Sequence, residues 1–255
     1  MDMVLLTAAG VGGATVVGAA VGFAFKKISH RFSDIVLAFA AGVMLAAAVL
    51  GLVVPSVEHA TADMGAAGIA VVVLGILVGA LCLNLIDMLV PHLHKMAGAD
   101  IESHERNEKL DKIILFVLAI AIHNLPEGIA AGVGFGTGNS AEAFMIAAGI
   151  ALQNIPEGMV IIAPMLAAGI SPKRTFLYAA LTGVVEVVGT FIGYFAVNLA
   201  SAILPFALAF AGGTMLYVVS DEMIPETHAH GSERGATYAL LIGFSLMLVF
   251  DVLLG

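Results

Sequence analysis

Two copies of one hexapeptide decide the fold: HNLPEG at residues 123–128 and QNIPEG at residues 153–158. Each copy lies in the middle of a long apolar stretch and carries a glutamate, an asparagine and a proline. A charged side chain near the centre of a bilayer costs about 2.5–3.5 kcal/mol on insertion scales. We therefore expect the two stretches to build a buried polar site inside a bundle of membrane-spanning helices.

The composition is that of a polytopic membrane protein. Of the 255 residues, 60% are hydrophobic and only 11% are charged, whereas a soluble domain has about 25% charged residues. The single cysteine, Cys82, excludes an internal disulfide and any cysteine-based metal site. The net charge of −9 says little about partners. We expect membrane lipid around the protein and no nucleic-acid partner.

Eight apolar runs are long enough to cross a bilayer, whose core of about 30 Å needs about 20 helical residues. We predict an all-α fold with one transmembrane domain over residues 1–255. Its expected helices are 3–25, 34–54, 67–90, 112–134, 141–168, 175–198, 203–220 and 236–254, with a polar loop at 91–111.

The basic residues predict the orientation. All ten lie in or beside alternate loops of the eight-helix arrangement: Lys26, Lys27, Arg31, Lys95, Arg106, Lys109, Lys112, Lys173, Arg174 and Arg234. The positive-inside rule places these loops, including 91–111, in the cytoplasm and both termini outside. The expected location is the inner (plasma) membrane.

The outer loops are acidic or neutral, with Glu58, Asp63 and Glu142 and no Lys or Arg. Two explanations stay open. The acidic groups attract cations to an entrance, or the pattern follows from the orientation alone.

A second repeat links two other helices. FAAGVML at residues 39–45 matches FAGGTML at residues 210–216, and each copy is followed by a proline and by an acidic residue and a histidine. Together with the paired hexapeptides, this pattern indicates a three-plus-two-plus-three inverted repeat, which is typical of transporters. The alternative is chance similarity among Gly/Ala-rich segments.

Helical spacing places the polar residues on shared helix faces, where they can form one binding site. His123 and Glu127 are four residues apart and lie on one helix face, as do Gln153 and Glu157 on the next helix. Glu186 stands on the sixth predicted helix. Gly189 and Gly193 follow it in a small-residue pattern that is expected to press this helix against the fourth and fifth.

One imidazole, three carboxylates and several amide oxygens are ligands for a divalent first-row metal ion. Met44 is a softer candidate, since a methionine in an apolar helix usually serves packing. Two other interpretations stay open: an intramembrane metal-dependent hydrolase, and a metal-gated sensor. A zincin H-E-x-x-H pattern is absent from the sequence, so we expect a transporter and not an enzyme.

At these residues the sequence resembles the ZIP family of divalent metal transporters (zinc/iron-regulated transporter-like proteins), and is most similar to its bacterial branch. The resemblance covers all eight predicted helices and both hexapeptides. It implies a homodimer that imports Zn²⁺, or else Fe²⁺, Mn²⁺ or Cd²⁺, towards the cytoplasm. It also implies that the first, fourth, fifth and sixth helices move as a block against the other four.

The resemblance further implies a binuclear site. By motif position, the first ion would bind His123, Glu127, Gln153 and Glu157, with Met44 completing the set. The second would bind Asn124, Asn154 and Glu186, with Glu127 and Glu157 bridging. Asn154 stands where some relatives carry Asp, which lowers the charge of the second position.

Polar residues at two helix ends are candidates for an exit or entrance relay: Asp221, Glu222, Glu226, His228, Glu58 and His59. The residues around Asp221 are equally typical of an ordinary hydrated helix end. Histidines in the loop at 91–111, namely His92, His94 and His104, are expected to be mostly solvated.

Overall fold

The structure is a computed structural model that describes residues 2–24, 29–89, 107–167 and 169–254. Within these ranges the regular elements are all helical and no strand occurs, which confirms the all-α fold class. Most of the predicted loop 91–111 lies outside the described residues, as do Lys26, Lys27, His92, His94, Lys95, His104 and Arg106.

Eight long helices follow one another through the described ranges. We number them α1 Asp2–Ala24, α2 at 30–64, α3 Gly68–Leu89, α4 Asn107–Val133, α5 Ser140–Ala167, α6 Pro172–Leu199, α7 at 204–227 and α8 Glu233–Leu254. Short 3₁₀ turns precede α3, α5 and α7, at Gly65–Ala67, Gly134–Thr137 and Ser201–Ile203.

Six stretches of the described residues are long and apolar enough to cross a membrane, which makes the chain a multi-pass membrane protein. They are Asp2–Ala24, His30–Ile86, Ser140–Leu166, Pro172–Leu199, Ser201–Thr227 and Glu233–Leu253. The stretch His30–Ile86 contains both α2 and α3. The count of eight crossings stays a prediction.

α2 and α7 are built alike, and both extend beyond the apolar runs predicted to end at residues 54 and 220. Each starts as an α-helix, passes through a π-helical segment (Ala47–Val53 or Val219–Met223) and resumes as an α-helix with a proline in its first turn. Proline crowds the preceding turn and lacks an N–H. The wider π turn before each proline relieves that crowding, so the helices continue.

Glycine-to-carbonyl contacts join α1, α4, α5 and α6 into one closely packed group. Gly18 of α1 lies against the carbonyl of Ile155 in α5, and Gly189 of α6 lies against the carbonyl of Leu125 in α4. A larger residue at either glycine would overlap that carbonyl, so the backbones approach closely. Gly193 also faces α4. These glycines therefore press α6 against α4, while α6 meets α5 through the hydrogen bond from Asn154 to Glu186.

The other four helices form a second group with the same kind of contact. Gly42 of α2 lies against the carbonyl of Leu240 in α8, and Gly213 of α7 lies against the carbonyl of Ile76 in α3. Between the two groups the contacts are of a different kind. There, Gly149 of α5 faces the side chain of Met247 in α8, 2.8 Å from the position that a Cβ would take.

Candidate metal centre

The two hexapeptides lie inside α4 and α5. Both helices run through the prolines of the motifs, Pro126 and Pro156, without a break in their helical assignment. The glycine after each proline–glutamate pair then lies against a neighbouring backbone. Gly128 meets the carbonyl of Glu186 in α6, and Gly158 meets the carbonyl of Thr15 in α1. The motifs are therefore enclosed by α1 and α6.

The carboxylate of Glu186 accepts three side-chain hydrogen bonds in the centre of this group. Thr15 Oγ1 donates to Oε1 over 2.6 Å, Asn124 Nδ2 donates to Oε1 over 2.5 Å, and Asn154 Nδ2 donates to Oε2 over 2.6 Å. All four residues are buried. The structure thus brings together Asn124, Asn154 and Glu186, the three residues predicted around a second ion.

Several polar atoms beside this network are buried without a hydrogen-bond partner among the described residues. They are both carboxylate oxygens of Glu127, both side-chain polar atoms of Gln153, and Oδ1 of Asn154. The side chain of Gln153 lies beside that of Glu127, but no contact between them has hydrogen-bond geometry. A divalent cation is the kind of partner that the oxygen atoms of Glu127, Gln153 and Asn154 lack.

Glu157 and His123 connect the centre to α7. The carboxylate of Glu157 is close enough to be attracted by the imidazole of His123 and repelled by the carboxylate of Glu222. His123 Nε2 lies 2.9 Å from Glu222 Oε1, and the two side chains are only 16% and 19% exposed. Of the predicted relay residues, Glu222 is the one whose carboxylate the structure places against the imidazole of the predicted metal ligand.

The predicted ligands are partly assembled. Among the residues that the structure describes, no group of three or more His, Cys, Asp or Glu side chains is arranged to hold a metal ion. The donors that do lie together mix carboxylates with the carboxamides of Asn124, Gln153 and Asn154. Met44 is fully buried in the main apolar core, with Met215 at the matching position of the α7 repeat.

The remaining candidates for an exit or entrance relay differ from one another in exposure and in contacts. Glu58 is exposed and His59 is half-buried, both in the last helical segment of α2, Val54–Met64. Asp221 is exposed and Glu226 is half-buried. The ring of His228 contacts the carbonyl of Ile224 through Nδ1, at 2.9 Å, and Thr237 Oγ1 through Nε2, at 3.2 Å. These contacts tie the end of α7 to α8.

A polar cluster lies where α2 begins. Asp34 is 3% exposed, and its Oδ1 lies 3.1 Å from His230 Nδ1. The ring of His30 stacks on that of His230 with a centroid distance of 4.9 Å. This cluster joins the start of α2 to the segment between α7 and α8, and it is separate from the hexapeptides in sequence.

Sequence reasoning missed Thr15 as a member of the centre. A threonine in a Gly/Ala-rich helix carries no chemical signal of its own. The available signal was the internal repeat. The repeats at residues 39–45 and 210–216 are separated by a fixed number of residues along the chain. The same number separates three pairs of glycines: Gly12 and Gly183, Gly18 and Gly189, and Gly22 and Gly193. That alignment places Thr15 opposite Glu186.

Comparison with known proteins identifies relatives over nearly the whole chain. The family model described as "ZIP Zinc transporter" matches residues 111–251. The chain is 42% identical to "Zinc transporter GufA" of Myxococcus xanthus over 206 residues, covering 80% of each protein. It is 38% identical to "Zinc transporter ZIPB" of Bordetella bronchiseptica over 246 residues, covering 95% of this chain and 78% of that protein.

The likeness extends to a human protein. The chain is 34% identical to "Zinc transporter ZIP11" of Homo sapiens over 323 aligned residues, covering 95% of this chain and 94% of that protein. These relatives are named as transporters and not as enzymes.

Proposed function

The chain belongs to the ZIP family of zinc transporters, and we propose that it carries Zn²⁺ across the cell membrane towards the cytoplasm. The observation that carries this proposal is the group of buried, unpartnered polar atoms on Glu127, Gln153 and Asn154. A buried polar group without a partner costs about 1–3 kcal/mol. A cation bound among them would remove that cost, and family membership makes a transported metal ion the natural candidate.

The proposed first ion is held by His123, Glu127, Gln153 and Glu157, with Met44 as a further ligand. The proposed second ion lies among Asn124, Asn154 and Glu186, with the two glutamates of the hexapeptides bridging. In this structure the amide nitrogens of both asparagines donate to Glu186. Direct binding of a second ion by Glu186 therefore replaces some of these hydrogen bonds.

The ligand set favours Zn²⁺ without excluding similar ions. Imidazole nitrogen and carboxylate oxygen suit Zn²⁺, and oxygen-rich sites also take Mn²⁺ and Fe²⁺. We propose Zn²⁺ as the main substrate and Fe²⁺, Mn²⁺ or Cd²⁺ as alternatives.

We propose that all eight helices cross the membrane in a three-plus-two-plus-three inverted repeat. Matching contacts support it: α1 meets α5 at Gly18 and Ile155, while α6 meets α4 at the equivalent Gly189 and Leu125. The π-helical segments of α2 and α7 occur at matching positions as well. In this arrangement residues 1–255 form a single transmembrane domain.

The contact types suit movement of one helix group against the other. Glycine-to-carbonyl contacts fix α1, α4, α5 and α6 together, whereas flexible side chains such as Met247 fill the space between the groups. We propose that the first group moves and carries the ion. Glu222, on the second group, then takes over the contact with His123 as the ion leaves.

The proposed orientation puts both termini outside the cell membrane, with the inner (plasma) membrane as the location. The described basic side chains Arg31, Lys173, Arg174 and Arg234 are all exposed, each within two residues of the first residue of its helix. This distribution is consistent with one cytoplasmic face. Glu58 and His59 would then lie at the outer entrance. A homodimer is also proposed, on the family resemblance.

The chain is a member of a transporter family and not an enzyme, so the alternative of an intramembrane hydrolase is set aside. A direct test is zinc accumulation in bacterial cells that lack their own zinc importers. Cells producing the protein should accumulate zinc, and excess Fe²⁺, Mn²⁺ or Cd²⁺ in the medium should compete to differing degrees. Equal accumulation with and without the protein, at confirmed membrane expression, would contradict the proposal.

A further inference from the structure

Thr15 and Glu186 occupy equivalent positions in the two halves of the chain. They are 171 residues apart, as are Gly12 and Gly183, and Gly18 and Gly189 (183 − 12 and 189 − 18). Their backbones also make equivalent contacts, because the carbonyl of Thr15 meets Gly158 just as the carbonyl of Glu186 meets Gly128. One half thus carries a hydroxyl where the other carries a carboxylate.

The two side chains are bonded to each other. Thr15 Oγ1 donates to Glu186 Oε1 over 2.6 Å, and the two residues are 1% and 0% exposed. The other donors to this carboxylate are the amide nitrogens of Asn124 and Asn154, which are themselves equivalent positions of the two hexapeptides. Four equivalent positions therefore form one network around a single carboxylate, and Asn154 Nδ2 also donates to the carbonyl of Val11 over 3.3 Å.

This network sets the direction of the asparagine side chains. An amide whose nitrogen donates to Glu186 must turn its oxygen elsewhere, and Asn154 Oδ1 is indeed buried without a partner. The carboxylate of Glu127, whose oxygens also lack hydrogen-bond partners, is close enough to that of Glu186 for the two to repel each other when both are charged. Groups that hold metal ligands in place typically change metal affinity by about 10- to 100-fold when removed.

We propose that Thr15 is a positioning residue of the ion site: its hydroxyl fixes Glu186, and through Glu186 it fixes the amides of Asn124 and Asn154. This inference rests on the proposed function, since it assumes that these groups surround a transported ion. It assigns to α1 an indirect part in ion binding, although residues 8–24 of α1 include no carboxylate or imidazole.

The test compares Thr15→Val, which keeps the shape and removes the hydroxyl, with Thr15→Ser, which keeps the hydroxyl and removes a methyl group. We expect Thr15→Val to weaken zinc binding and raise the apparent KM for zinc uptake by about tenfold or more. Thr15→Ser should stay within about threefold of the unchanged protein. A role in packing alone predicts the reverse order.

Thr190 supplies the matched control. It is equally buried, it lies one turn from Glu186, and its hydroxyl donates to the backbone carbonyl of Glu186 over 2.9 Å and not to the carboxylate. Thr190→Val should therefore keep the zinc affinity. If Thr15→Val cannot be purified as a folded protein, Thr15→Ala against Thr15→Ser makes the same comparison, because alanine also lacks the hydroxyl.

The measurements are equilibrium zinc titration of each purified protein and zinc uptake into proteoliposomes. Weak binding by Thr15→Val together with normal binding by Thr15→Ser and Thr190→Val supports the inference. Normal binding by Thr15→Val, or equal losses in Thr15→Val and Thr15→Ser, overturns it while leaving the proposed function intact. Failure of the unchanged protein to bind or move zinc would instead overturn the proposed function.

Discussion

His123 Nε2 lies 2.9 Å from a carboxylate oxygen of Glu222, which joins a predicted metal ligand on α4 to the π-helical segment of α7. The two residues belong to different helix groups. In the proposed function His123 binds the ion through its imidazole, so Glu222 and the ion would compete for this ring. We propose that this competition helps the site to release its ion.

Replacement of Glu222 tests this competition. Glu222→Gln removes the charge that attracts His123, so we expect zinc to bind up to about fivefold more tightly, the equivalent of a partly exposed ion pair of about 0.2–1 kcal/mol. The maximal uptake rate should fall, because release becomes slower. Zinc titration and uptake kinetics on the same preparation separate the two effects.

Glu233→Gln is the control for Glu222→Gln, because Glu233 is an exposed glutamate in the first turn of α8. It should leave both quantities unchanged. Weaker zinc binding in Glu222→Gln would mean that Glu222 is itself a ligand and does not compete.

The two hexapeptides predict a hierarchy within the site. Glu157→Ala should abolish uptake, since a bridging carboxylate supplies charge to both proposed ions. Asn154→Ala should leave a measurable rate, reduced by about 10- to 100-fold, because it removes an amide that Glu186 helps to hold. Asn198→Ala is a matched control, since that amide donates to the backbone carbonyl of Tyr194 at an exposed helix end. Greater damage from Asn154→Ala than from Glu157→Ala would contradict the assigned bridge.

Residue patterns in the sequence were sufficient for the helical fold and for the expectation that Glu186 lies near the two hexapeptides, whereas the grouping of Asn124, Asn154 and Glu186 was implied by the family resemblance. The reason is physical: buried polar groups in lipid need one another, and helical spacing shows which faces carry them. The continuation of α2 beyond residue 54 and of α7 beyond residue 220 was not predicted, for a different reason. Proline at 55 and 225 signals the end of an α-helix, and no sequence pattern announces the π turns that let each helix continue.

Contacts between distant segments were the least predictable part. The position of Glu222 against His123 depends on how the end of α7 packs beside α4, which local periodicity does not specify. Thr15 was overlooked because a hydroxyl in an apolar helix usually bonds to its own backbone, as Thr182 does here. Its alignment with Glu186 in the internal repeat was the one clue that the sequence offered.

Two glycines on α1 test the packing of the proposed moving group. A side chain at Gly18 would overlap the carbonyl of Ile155, whereas one at Gly13 would meet no atom within 4 Å. Gly18→Ala should destabilise the protein by about 1–3 kcal/mol or more. Gly13→Ala should be neutral or stabilising by up to about 1 kcal/mol, since alanine favours helix. Thermal unfolding in detergent measures both, and equal stability of the two variants would contradict the close approach.

The orientation can be tested with cysteines introduced after Cys82→Ser. Cysteine in place of Asp63, near the end of α2, or of Asn139, just before α5, should react with an impermeant reagent in intact cells, because both positions are predicted to face outwards. Cysteine in place of Lys173 or Ser232 should react only after the membrane is opened. Labelling of the Lys173 position in intact cells would contradict the eight-crossing arrangement.

The most direct test of the central claim is zinc uptake into proteoliposomes that contain an internal zinc-sensitive dye. The purified protein should give saturable uptake above that of empty liposomes, and Glu127→Ala, which removes two of the unpartnered buried oxygens, should reduce uptake to the background. Uptake by Glu127→Ala at the rate of the unchanged protein, or no uptake by the folded, reconstituted protein itself, would contradict a zinc transport site built on the two hexapeptides.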